Sequence, residues 1–135
     1  MTNQLDVRTH ELSNRRLVGE PIEVITGRYA KALLKTDIDM AVDSKGLIHG
    51  GFVFGLADYA AMITINEPNV VLVSTSAHFL KPVKVGEELV AEAHVNRVEG
   101  KKNFVNVTVS SGKGTVFEGE FLCVVTDRHV LEGKF

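Results

Sequence analysis

Residues 52–68, FVFGLADYAAMITINEP, constrain this chain more than any other segment. The run is too long and too rich in Ala, Leu and Met for a strand, and Pro68 closes it because proline cannot continue a helix. These features predict a helix from about Gly50 to Asn66. Phe52, Val53, Phe54, Leu56, Ala57, Ala60, Ala61, Met62, Ile63 and Ile65 leave it apolar nearly all round. Such a helix must be buried on most of its sides, so the rest of the chain has to wrap it.

The flanking segments supply the wrapper. From Ile22 to about Val42 the pattern is strand-like, with Ala30, Ala32 and Leu34 alternating with Lys31 and Lys35. After the helix come four alternating segments: Val70 to Leu80, then runs centred on Leu89–Val95, Asn103–Val109 and Phe117–Val125. Gly86, Glu99-Gly100-Lys101-Lys102 and Ser111-Gly112-Lys113-Gly114 punctuate them as turns. Two strands, a helix and four strands predict an α+β domain: one long apolar helix wrapped by a curved antiparallel sheet of five to six strands. The expected organisation is an N-terminal segment over 1–20 with a marginal helix, the domain over 21–128, and a tail over 129–135. At 135 residues the chain fits one domain with one core.

Charge and cysteine content narrow the function classes. A formal charge of −2 gives no global field for nucleic acid or an anionic membrane. A single cysteine, Cys123, excludes an internal disulfide framework and fits a reducing compartment. It sits beside Phe121 and Val125 on an apolar strand face, as an inert core thiol would. With no signal-like or membrane-length apolar run, the expected location is the cytoplasm.

The chemistry concentrates at the helix start. His49-Gly50-Gly51 opens the helix, where the first N–H groups lack intrahelical partners and carry partial positive charge. Glycines there let a ligand atom approach the backbone, so the Gly50 or Gly51 N–H could polarise a carbonyl and stabilise an oxyanion. Asp58 shares a helical face with Gly51, Phe54, Gly55, Ala61 and Met62, a costly place for a carboxylate without a task or a partner. Gly50 and Asp58 are eight residues apart, roughly 12 Å along a helix. One acyl carbon cannot touch both within a subunit, but two antiparallel helices across a two-fold axis would bring the amide of one to the Asp of the other. His49 is read as shaping the loop and the site's mouth, and His78 as a satisfied, half-buried strand histidine. His10, His94 and His129 have no metal-ligand spacing, so no metal is expected.

The stretch Asp43–Gly51, DSKGLIHGG, followed by Gly55-Leu56-Ala57-Asp58, resembles the HGG…AD pattern of hot-dog-fold thioesterases of the phenylacetyl-CoA thioesterase type. Phe79-Leu80-Lys81-Pro82-Val83-Lys84-Val85-Gly86-Glu87 resembles the segment that follows in the same families. The resemblance runs from about Gly19 to Thr126. It implies a hot-dog fold and a homodimer, often paired into tetramers, that hydrolyses acyl-CoA without metal or organic cofactor. It places the carbonyl-polarising N–H on Gly50 and the catalytic carboxylate, base or nucleophile, on Asp58. Where many members carry Asn or Gln this chain has Asp43, and where some carry Ser or Thr after the acid it has Met62, a candidate for lining the acyl pocket. Lys81 and Lys84 are the basic residues best placed for the phosphates of CoA.

The same domain, through Lys81–Gly86 and the strands after it, is also similar to the effector domain of bacterial malonyl-CoA-sensing repressors. That similarity implies a non-catalytic acyl-CoA binding module. Too few residues precede Ile22 for a DNA-binding module, and Asp58 is retained, so an enzyme is the preferred expectation.

Overall fold

The computed structural model describes residues 5–133. A short helix α1 (Arg15–Val18) precedes strands β1 (Glu20–Ile25) and β2 (Tyr29–Lys35). The long helix α2 (Gly50–Ile65) follows, and then β3 (Val70–Phe79), β4 (Glu88–Glu99), β5 (Lys102–Ser111) and β6 (Gly114–Val125). The six strands form one antiparallel sheet in the order β1-β2-β4-β5-β6-β3. One helix on one six-stranded curved sheet is the hot-dog architecture, and it accounts for the amphipathic strands and the all-apolar helix together.

Burial of α2 follows its composition. Val53, Leu56, Ala57 and every residue from Tyr59 to Ile65 are buried. They pack on Ala30, Ala32 and Leu34 of β2, Leu89, Ala91 and Ala93 of β4, and Val105, Val107 and Val109 of β5. The alanines on β2 and β4 let the backbone of the helix settle close to the sheet, while branched side chains fill the space over β5.

One expectation is corrected. The strand-like pattern from Ile22 to Val42 ends at Lys35; Thr36 then turns away, its hydroxyl donating to the Glu87 carbonyl at 2.6 Å, and a 3-10 turn occupies Ile38–Met40. Asp37 caps that turn by accepting from the Asp39 N–H, a local bond that competes with a sheet ladder. The short helix expected in the N-terminal segment is present as a single turn, capped by Asn14. Residues 1–4 of that segment and 134–135 of the tail lie outside the described residues. A 3-10 turn at Val130–Glu132 occupies part of the tail.

Residues 6–8 are tied to the far end of α2 by Asn66. That residue takes the left-handed conformation (φ 57°) that ends the helix, and it is 0% exposed. Its side chain accepts from the Arg8 N–H at 2.7 Å and donates to the Asp6 carbonyl at 2.6 Å and the Thr26 hydroxyl at 3.0 Å. Asn66→Ala would orphan these groups and place alanine at positive φ. A loss of about 2–3 kcal/mol is expected, read as a lower urea midpoint at unchanged m-value.

Candidate active site

His49 builds the start of α2. In extended conformation (φ −60°, ψ 128°), it accepts the Gly51 N–H on Nδ1 at 2.7 Å. The bond puts the proton of a neutral ring on Nε2. It also explains Gly51, because a Cβ there would lie 2.8 Å from His49 Nδ1. The Gly51 amide is therefore committed to the cap. The Gly50 N–H, in contrast, has no hydrogen-bond partner among the described residues. Of the two glycine amides predicted as candidates, only Gly50 keeps a donor to offer.

Gly50 opens onto a groove of about 310 Å³ that is also lined by Leu47, Val53, Phe79, Lys81 and Pro82. A Cβ on Gly50 would come 3.3 Å from the Phe79 ring. The dipole of a sixteen-residue helix ends at this amide, so the groove presents one polarised donor framed by apolar side chains.

Asp58 lies two turns further along α2, half-buried. Its Oδ1 is buried without a hydrogen-bond partner among the described residues. Burial pushes its pKa up to about 6. The carboxylate also acts on its neighbourhood: burial and the Asp58 charge together push the Cys123 thiol on β6 up to about 12. Cys123 is thus a protonated core thiol, as its apolar strand face predicts.

The stripe of α2 that carries Asp58 is the one the sheet leaves partly open. Gly51 is exposed, and Phe54, Gly55 and Asp58 are half-buried. Phe54 packs on Phe121 (ring centroids 5.5 Å) and Phe117 (6.3 Å), and Phe117 meets Phe79 at 5.1 Å. An aromatic bridge therefore connects the groove at Gly50 with the face of Asp58. A Cβ on Gly55 would meet nothing within 4 Å. Within the protomer this glycine only weakens the helix, so Gly55→Ala is expected to gain about 1 kcal/mol and to raise the melting temperature by about 3–5 °C. A loss of activity in that more stable variant would mark the space as one that substrate or a second subunit fills.

The remaining predicted residues sit as follows. Asp43 Oδ1 accepts from the N–H groups of Lys45 (3.0 Å) and Leu47 (3.2 Å), shaping the loop that leads into His49. Met62 is 1% exposed and belongs to the core, outside the groove. Lys81 lines the groove, and Lys84 is exposed beside it. The expectation for His78 is corrected: it is exposed on β3, because its register opposite the exposed Glu118 sets it on the outer face of the sheet, while Phe117 and Phe121 of the same partner strand point into the core. No group of three or more His, Cys, Asp or Glu that could hold a metal converges among the described residues. Sequence reasoning missed the aromatic bridge, whose members come from three different elements.

α2 runs unbroken from Gly50 through Asp58, so the eight-residue separation stands and the protomer by itself does not join the two groups.

A model of the thioesterase superfamily matches residues 45–118, more than half of the chain and the span that holds this site. Methylthioribose-1-phosphate isomerase of Aquifex aeolicus is 51% identical over 89% of this chain but only 26% of its own length. The transcription factor FapR of Thermoanaerobacter sp. is 30% identical over 98% of this chain and 65% of its own length. The chain thus spans less than two thirds of these curated relatives. Among solved structures, PH1136 of Pyrococcus horikoshii, an uncharacterised protein, is 52% identical with a TM-score of 0.92, covering 95% of this chain and 98% of that one. A hypothetical thioesterase with coenzyme A from Streptococcus pneumoniae shares the fold (TM-score 0.70, 18% identity, 82% and 87% covered).

Proposed function

From the premise that this chain belongs to the thioesterase superfamily, we propose that it hydrolyses acyl-CoA to a free carboxylic acid and coenzyme A. One observation carries the reading: the same helix holds a free N–H at its positive end and, two turns on, a carboxylate with a buried, unpartnered oxygen. In the proposed reaction the thioester carbonyl accepts from the Gly50 N–H, which strengthens as charge develops on that oxygen. Asp58, more basic than an exposed aspartate, deprotonates the attacking water. His49 holds the Gly51 amide and so fixes the direction of the Gly50 N–H. Asp43 orders the preceding loop, and the exposed Lys81 and Lys84 lie toward the phosphates of the substrate. Coenzyme A bound on the same fold in the Streptococcus pneumoniae protein supports a ligand of this kind.

The 12 Å separation makes the functional unit a homodimer in this reading. β3 supports it: a ten-residue edge strand with an unpaired outer side, carrying the exposed Val73 and Phe79. Pairing β3 with its copy would continue the sheet and bring two α2 helices together antiparallel, Gly50 of one opposite Asp58 of the other. Mixed dimers test this. If one subunit carries Gly50→Pro and the other Asp58→Asn, one of the two cross-subunit sites contains neither substitution. About half of wild-type activity should return in such hybrids, whereas a site within one subunit would stay dead.

A second reading, an acyl-CoA binding module without turnover, is favoured by the similarity to FapR along 98% of this chain. Thiol release over a panel of acyl-CoAs separates the two. Tight binding with no free thiol supports the sensor.

A further inference from the structure

The hairpin between β5 and β6, Ser111 to Gly114, lies far from the helix in sequence but folds against the groove. Lys81 Nζ donates to the Lys113 carbonyl at 2.9 Å, in a hairpin whose turn Gly114 completes at positive φ (106°). Lys113 Nζ in turn lies 3.4 Å from Glu87 Oε2. The same carboxylate oxygen accepts the Lys84 backbone N–H at 2.5 Å. Glu87 thus ties the loop before β4 to the β5–β6 hairpin, and Lys81 reaches the same hairpin through the Lys113 carbonyl. Only Lys113 pairs with a carboxylate; the Lys81 ammonium donates to a carbonyl and Lys84 is exposed nearby, which leaves a surplus of positive charge beside the groove that Gly50 opens.

Each ammonium keeps donors to spare. Lys113 uses one toward Glu87 and Lys81 one toward a carbonyl, and both side chains are exposed. Lysine pairs with phosphate as a compact point charge that needs no fixed fork, which suits exposed, adjustable side chains.

We infer that Lys113, carried on the β5–β6 hairpin and gathered by Glu87 beside Lys81, forms a phosphate clamp for the nucleotide end of coenzyme A. The inference rests on the proposed acyl-CoA reading and extends it to a part of the chain that no motif marks. The clamp holds the phosphates while the pantetheine arm runs along the groove to Gly50.

The test compares one acyl group on two carriers: coenzyme A, and N-acetylcysteamine, which lacks every phosphate. Lys113→Ala is expected to raise KM for the acyl-CoA about tenfold at unchanged kcat, and to leave the N-acetylcysteamine thioester unaffected. The KM effect should shrink as salt rises, while Lys102→Ala, at the opposite end of β5, should change neither substrate. Unchanged KM for acyl-CoA, or equal losses on both carriers, would overturn the clamp. Should the wild-type protein hydrolyse neither thioester, the catalytic reading falls and calorimetry with free coenzyme A judges the clamp alone. Binding about tenfold weaker in Lys113→Ala supports it. Equal affinity, or no binding by the wild type, refutes it.

Discussion

Asp58→Asn is expected to lower acyl-CoA turnover about a thousandfold while making the protein more stable at neutral pH. Both effects come from the same buried oxygen. Folding raises the Asp58 carboxyl from 3.8 to about 6 through burial. Between those values the folded state binds more protons than the unfolded one, so stability falls as pH rises through that window. Above it the carboxylate is charged in both states and the full cost is present, about 3 kcal/mol at pH 7 for a shift of this size. Asparagine, uncharged at every pH, removes that cost and should flatten the pH dependence. Chemical denaturation at pH 4 and pH 7 reads this directly: the variant should gain at pH 7 and little at pH 4. Activity should show the opposite preference, falling as pH drops below about 6 and the base takes up its proton. A variant that kept its turnover would remove Asp58 from the chemistry, whatever its stability.

Gly50→Pro is expected to cut kcat about a hundredfold or more with the fold intact, because it deletes one N–H and almost nothing else. Proline is tolerated in the first position of a helix, where the missing donor has no intrahelical acceptor. Gly50 is that position, and its N–H has no partner to lose among the described residues. The residue before a proline must be extended, and His49 already is, at φ −60° and ψ 128°. The close neighbour is the ring of Phe79, 56% exposed, which a Cβ would approach to 3.3 Å. Gly50→Ala keeps the N–H and meets the same ring, so it isolates the steric part of the effect. If proline and alanine lower kcat equally, the amide is not the electrophilic donor. Circular dichroism and a melting curve on each variant establish that α2 still forms.

Much of this molecule is written locally. The helix is legible because seventeen residues carry too many apolar side chains for one face, and because glycines and a proline bracket it. The meander is legible because alternation with period two needs only neighbouring residues. The spacing of Gly50 and Asp58 could be turned into about 12 Å without coordinates, since helix geometry is the same in every chain. The tertiary structure decided what depends on contacts between distant segments. Whether Gly50 or Gly51 keeps a free amide turned on where the His49 imidazole points, which no spacing rule contains. His78, expected half-buried, is exposed, because its register opposite Glu118 turns it to the face of the sheet away from α2.

The aromatic bridge of Phe54, Phe79, Phe117 and Phe121 exists only once the β3–β6 register, shifted by the irregularity at Leu72/Ser74, sets Phe79 opposite Phe117. Lys113 had the appearance of an ordinary turn residue until the hairpin was seen to fold against Lys81. Periodicity and capping are properties of a few consecutive residues, so the chain announces them directly. Which side chains meet across the sheet is set by strand order and register, through closures of thirty residues or more, and is settled only when the whole core packs.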